Sequence, residues 1–333
     1  MIIFSVFSVF VLRARLEGFS AREAGRHARF YLRGRQRSTL SSYNTEYRKL
    51  AVFCAKRGWS AVILSERQVI SFIISRAEKG ISQSQLSQLC AVITILSEVC
   101  GFVSPVQSPV VDKVRVAAVK EANFGRRKTV RKGMTLRLIK IIIDSCYKED
   151  FSLVKPERRR FLIMQLFCFF GIRRFNDIQF IKRKNVVFGR DKSVKVWVEQ
   201  SKTDVRCEGF EFVLTSTKIG KASIFKMLRW YFDSFGDLED ESYIFPVFKK
   251  GLPVWTKAVS YGVARLQLMK ERTSLRLGRI TWHSGRIGAA TQASKMGVSR
   301  EVIKLAGRWK SDAVDTYIRV KDASKMLGTV LAE

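Results

Sequence analysis

Gly307-Arg-Trp-Lys-Ser-Asp-Ala-Val-Asp-Thr-Tyr317 places a tyrosine on a short helical stretch, eight residues after a tryptophan. Taken alone, it reads as a core tyrosine. Upstream, Thr281-Trp-His-Ser-Gly-Arg286 sets His283 and Arg286 three residues apart, on one face if a helix begins there. Such a pair is by itself a common solvated helix start. Further back, Ser201-Lys202-Thr203-Asp204 joins two alternating stretches, so Lys202 sits at the tip of a strand connection. A flexible ammonium there reaches a bound backbone or simply faces solvent. Gly171-Ile-Arg-Arg-Phe-Asn-Asp-Ile178 follows an apolar helical run, and two arginines emerge where the chain leaves a buried element. Each segment has an ordinary structural explanation, and their order along one chain carries the argument.

The periodicity around these segments gives the frame. Tyr43, Tyr47, Leu50 and Cys54 recur at three- and four-residue steps after Ser38, which suits an N-cap, and Gly58 stops that helix. Further helices are expected around Val69–Ile73, from about Gln83 to Val99 and from about Val110 to Ala122, making a unit of four short helices. Gly125-Arg-Arg-Lys-Thr-Val-Arg-Lys-Gly133 is too charged to pack and reads as a linker. Beyond it, Met134–Tyr147 and Arg158–Phe170 read as helices, the second apolar enough to be buried nearly all round. Val194, Val196 and Val198, then Phe210, Phe212 and Leu214, alternate with outward residues and predict a short antiparallel sheet. Helices are expected again over Lys221–Phe235 and Thr256–Lys270, with several short ones from Ser284 onward. The fold class is mainly α with a small antiparallel sheet (α+β).

A chain of 333 residues that is 47% hydrophobic can bury two cores. Its 61 Lys and Arg against 29 Asp and Glu give a formal net charge of +32, which calls for a polyanion nearby. The basic residues spread along the whole length and do not cluster beside a hydrophobic span, which favours nucleic acid over a membrane surface. Cys54, Cys90, Cys100, Cys146, Cys168 and Cys207 lie far apart and read as reduced core residues. With only His27 and His283 and no cysteine pair at ligand spacing, no metal site is expected. Met1–Leu12 is apolar but too short for a membrane span and lacks a basic leading region, so neither an anchor nor a secretion signal is expected.

Taken together, Arg, a hairpin Lys, His-x-x-Arg, Gly-x-Trp and a late Tyr resemble the tyrosine recombinases, the phage-integrase superfamily. The Gly-Arg-Trp-Lys-Ser-Asp-Ala wording is more similar to recombinases of eukaryotic mobile elements than to the bacterial Leu-Gly-His version. The resemblance implies a helical core-binding, DNA-binding domain over 36–124, a basic linker over 125–133 and a catalytic domain over 134–333, with 1–35 given no role. The family's Arg-x-x-acid-Leu pattern falls on Arg174, Asp177 and Ile178, making Arg174 the first catalytic arginine and Asp177 a buried supporting carboxylate; Arg173 is set aside. Lys202 matches the hairpin lysine, His283 and Arg286 the His-x-x-Arg pair, and Tyr317 the nucleophile. At the His/Trp position, Trp309 matches by type and Arg308 by the commoner nine-residue spacing; Trp309 is chosen.

The resemblance implies a site-specific recombinase or integrase that breaks and rejoins DNA through a 3′-phosphotyrosine link, with no cofactor, metal or ATP. Two guanidiniums suit the charge that builds on the nonbridging oxygens. A tyrosine of ordinary pKa ~10 needs a base or positive charge nearby, here His283. Lys202 would protonate the leaving 5′ oxygen. The alternatives are a DNA-relaxing topoisomerase and a DNA-binding protein that has lost the reaction. The expected partner is double-stranded DNA, held in part by Arg126, Arg127, Lys128, Arg131 and Lys132. A homotetramer on paired sites is expected too, with the apolar face of Met326, Leu327, Val330 and Leu331 docking into a neighbouring protomer. The expected location is intracellular, in the nucleus of a eukaryote or the nucleoid or cytoplasm of a prokaryote.

Overall fold

The computed structural model describes residues 5–34, 37–124, 132–147, 154–201, 204, 206, 208–219 and 222–318. Lys202, Arg126, Arg127, Lys128, Arg131, Cys207 and the tail from 319 onward lie outside the described residues. Two compact units divide the chain, Met1–Lys128 and Thr129–Glu333.

The first unit is helical: α1 (Val6–Leu16), α2 (Ala21–Arg33), α3 (Arg37–Ala55), α4 (Glu66–Ala77), α5 (Gln83–Val99) and α6 (Pro109–Asn123). Serines begin many of them for one physical reason. Ser20, Ser65 and Ser82 each accept a backbone N–H three residues on, and Glu23, Gln68 and Gln85 reach back to the cap. Tyr47, Leu50, Val69, Ile73, Leu86, Leu89, Ile93 and Leu96 form the core. Val6, Val9 and Leu32 join it, so α1 and α2, from the segment 1–35, add to the four helices expected over 36–124, which are α3 to α6. Ser38 is not an N-cap. It lies inside α3, where its carbonyl accepts the Ser42 hydroxyl at 3.1 Å, because Arg37 already extends the helix. No helix among the described residues is long and apolar enough to cross a membrane.

The second unit is built around α8 (Pro156–Phe170), buried from Arg159 to Phe169 even at its polar positions. Arg160 is tolerated there because it donates to the Pro246 carbonyl and to Gln267 Oε1. Against α8 pack α7 (Leu136–Tyr147), α10 (Ile224–Asp233), α11 (Tyr261–Ser274) and α12 (Ser284–Lys295). A three-stranded antiparallel sheet runs in the order β1 (Val186–Phe188), β2 (Val194–Val198), β3 (Phe210–Leu214), with Val196 opposite Phe212. Val194, Val196, Val198, Phe210, Phe212 and Leu214 all face inward, as the alternation requires. Two short ladders add β4 (Lys218–Ile219) with β5 (Ala222–Ser223), and β6 (Pro246–Lys249) with β7 (Leu252–Ala258).

Two expected helix starts move. Thr256 belongs to β7, because Lys250 and Gly251 turn the chain with positive φ, Leu252, Pro253 and Val254 pair back on Lys249, Phe248 and Val247, and the strand runs on through a bulge to Ala258 opposite Pro246. α11 then starts after Ser260, whose hydroxyl accepts from Val263 N. Likewise Ala222–Ser223 pair as strand, and α10 begins at Ile224 under the Ser223 cap.

α9 (Phe175–Ile178) follows α8 directly, and the C-terminal part carries α13 (Arg300–Gly307) and a 3-10 turn over Asp312–Thr316. Met134 crosses α12 so closely that its N–H donates to Ser284 O at 2.7 Å and a Cβ on Gly288 would lie 1.6 Å from Met134 O.

Candidate active site

Three chain reversals converge on one spot. α8 ends at Gly171, and Ile172 then takes φ 54, a left-handed conformation costly for a β-branched residue. That turn sends Arg173 and Arg174 in different directions. Arg173 is 3% exposed, donates to the carbonyls of Gly171 and Ala306 and lies 5.0 and 5.2 Å from the Phe210 and Phe212 ring centroids. Burial pulls its pKa down to about 10. Arg174 is half-buried at the start of α9; its N–H donates to Asp177 Oδ2 at 3.0 Å, and its Nη1 is 3.9 Å from the same oxygen. Asp177 is itself buried.

The second reversal is at Arg308, again left-handed at φ 54, where its N–H and that of Trp309 close α13. Arg308 is exposed and lies over the Phe210 ring at 4.3 Å; Trp309 turns inward and is buried. A Cβ on Gly307 would lie 1.7 Å from the Trp309 ring, so the Gly of Gly-x-Trp makes room for the indole. Third, the 3-10 turn delivers Tyr317, whose hydroxyl is 2.8 Å from His283 Nε2. The Tyr317 ring lies 5.1 Å from the His283 ring and 5.0 Å from Trp309.

Arg286, from the first turn of α12, is fully buried at the centre. Its Nη1 donates to Ile172 O at 2.8 Å and its Nη2 to Gly307 O at 2.7 Å, tying the first two reversals together. Trp309 covers it, with the guanidinium carbon 3.9 Å from the ring centroid. Burial, and then the charge of Arg174, bring its pKa down to about 9, so it is cationic at neutral pH. A guanidinium has five N–H donors, and two are spent on carbonyls. Arg286 Nε and Trp309 Nε1 are both buried without a hydrogen-bond partner among the described residues. Two unspent donors beside a cation and a tyrosine hydroxyl suit an anion with several oxygens, a phosphate above all.

The structure thus groups Arg174, His283, Arg286, Trp309 and Tyr317 in one site, while Lys202 lies outside the described residues. Of the linker cations, Lys132 is described and exposed. Sequence reasoning missed Arg300. From the start of α13 it donates to Asp312 Oδ1 at 2.6 Å and to both Asp315 carboxylate oxygens at 2.6 and 2.8 Å, holding the turn that carries Tyr317. Pairing of residues 12 and 15 apart across a turn leaves no periodic signal.

No protein-family profile and no curated protein matches the chain. Solved structures do. The chain is similar to the XerH site-specific recombinase bound to palindromic difH substrate in a post-cleavage complex, with TM-score 0.61 and 13% identity over 96% of this chain and 85% of that one. It is similar to a lambda integrase in a tetramer bound to a Holliday junction, with TM-score 0.53 and 16% identity over 88% and 76%. It is also similar to the Tn1549 transposon integrase in complex with circular intermediate DNA, with TM-score 0.53 and 9% identity over 98% and 99%. The chain has the tyrosine recombinase fold.

Proposed function

We propose that this protein is a site-specific DNA recombinase that cuts and rejoins strands through a 3′-phosphotyrosine intermediate formed on Tyr317. The observation that carries the reading is the 2.8 Å contact between the Tyr317 hydroxyl and His283 Nε2, next to a buried guanidinium with unspent donors. When His283 Nε2 carries no proton, it accepts the tyrosine proton as the phenolate attacks phosphorus. Arg174 and Arg286 hold the nonbridging oxygens as their charge grows, and Trp309 Nε1 donates to one of them. Each such donor contributes about 3 kcal/mol of transition-state stabilisation. Lys202 delivers the proton to the leaving 5′ oxygen. Asp177 keeps Arg174 in place.

The phosphotyrosine bond conserves the energy of the phosphodiester, so resealing needs no ATP, and the arginine clamp supplies the charge that a metal ion would otherwise provide. Double-stranded DNA is the substrate, with the basic stretch 126–132 adding phosphate contacts. Assembly as a homotetramer on paired sites follows the tetramer of the neighbouring lambda integrase.

The test uses a pool of nicked suicide duplexes and a denaturing gel, comparing the full chain with Tyr317→Phe. The expected result is a covalent protein–DNA band that Tyr317→Phe abolishes. DNA binding without adduct on any pool member would overturn catalysis, and relaxation of supercoiled plasmid without strand exchange would make the protein a topoisomerase.

A further inference from the structure

We propose that the outward face of α2 is a DNA-backbone contact surface built from Arg22, Arg26, Arg29 and Arg33. These arginines follow one another at steps of four, three and four residues. On a helix of 3.6 residues per turn they fall within about 60° of one another and extend over about 16 Å. All four are exposed, and none makes an ion pair among the described residues. The acidic neighbour Glu23 is already occupied, since its Oε2 accepts both the backbone N–H and the hydroxyl of Ser20. Like charges at such spacing repel, so the stripe weakens its own helix unless a polyanion covers it.

The opposite face fixes the stripe in place. Ala24, Ala28 and Leu32 are buried, α2 packs on α1, and Leu32 shares a core with Val6, Val9 and the rest of the first unit. Of the large apolar residues of α2, Leu32 is covered and Phe30 and Tyr31 stay exposed, and two side chains are too few for the continuous apolar face that a helix lying in a bilayer surface needs. Duplex DNA presents about one charge per 1.7 Å of axis, so a rigid 16 Å row can match each guanidinium to a phosphate. This surface serves binding alone and is independent of cleavage at Tyr317.

The experiment uses the full chain carrying Tyr317→Phe, so that no covalent capture intrudes, and a random-sequence duplex. The dissociation constant is followed between about 50 and 200 mM KCl for this chain and for the fourfold variant Arg22→Gln, Arg26→Gln, Arg29→Gln, Arg33→Gln. The slope of log affinity against log salt is expected to fall by about 3 to 4, so that the parent loses roughly 100-fold more affinity across that range than the variant. The pair Arg22→Gln, Arg33→Gln should lower the slope by about 2, and the fourfold Arg→Lys variant should keep it. An unchanged slope in a variant with an unaltered melting curve overturns the proposal. So does a defect confined to single-stranded RNA or to phosphatidylserine vesicles while duplex binding is unchanged.

Discussion

At the scale of single residues, Trp309 and Arg308 are neighbours with opposite surroundings. The left-handed turn at Arg308 sends one side chain to the surface and the other onto Arg286. Trp309→Phe keeps a ring over the guanidinium but removes the unpartnered Nε1 donor; adduct formation should fall about 100-fold with little change in melting temperature. Arg308→Gly relieves the left-handed backbone and should stabilise the protein by ~1 kcal/mol, leaving adduct formation intact. A gel time course beside a melting curve checks both. Gly307→Ala would drive a methyl into the indole and should abolish adduct formation, although this glycine touches no substrate.

At the scale of elements, the 3-10 turn is held by Arg300 through Asp312 and Asp315. Both carboxylates are kept below their ordinary value of 3.8, first by hydrogen bonds from Arg300. Because the folded values are depressed, this link is complete above that pH and is lost only as pH falls through the lower folded values. Arg300→Gln should therefore slow adduct formation about tenfold through misplacement of Tyr317, equally at every pH between about 5 and 9, with partial rescue by Arg300→Lys. A pH–rate profile that changes shape would show that Arg300 acts on the titration of the site instead. Gly288→Ala sets a methyl against the Met134 backbone and should destabilise the second unit by at least about 3 kcal/mol, measurable by denaturant unfolding.

At the scale of the whole molecule, 61 cations against 29 anions give the protein a strong attraction for polyanions. A ligand that binds only the folded state stabilises it by mass action, by about 2.7 kcal/mol at one hundred times the dissociation constant. Saturating duplex DNA should raise the melting temperature, and added salt should remove most of the rise as counterions compete for the phosphates. A DNA-induced shift that survives high salt would assign the gain to contacts other than charge.

The sequence by itself determined what depends on local pattern and residue chemistry. The inward Val194, Val196 and Val198, the buried α8, the three-residue step from His283 to Arg286 and the late tyrosine are properties of neighbours along the chain. Tertiary structure decided what depends on distant segments meeting. Arg173 became a strut because the carbonyl of Ala306 lies beside it, and Thr256 became strand because β6 pairs with β7 on either side of it, at Val254 and Ala258. Arg286 joins the turns at Ile172 and Gly307, which are 135 residues apart by their numbers, a junction that no periodicity encodes. Long-range pairing is set by packing and by backbone groups that must be hydrogen-bonded once buried, and those constraints exist only after the chain has folded.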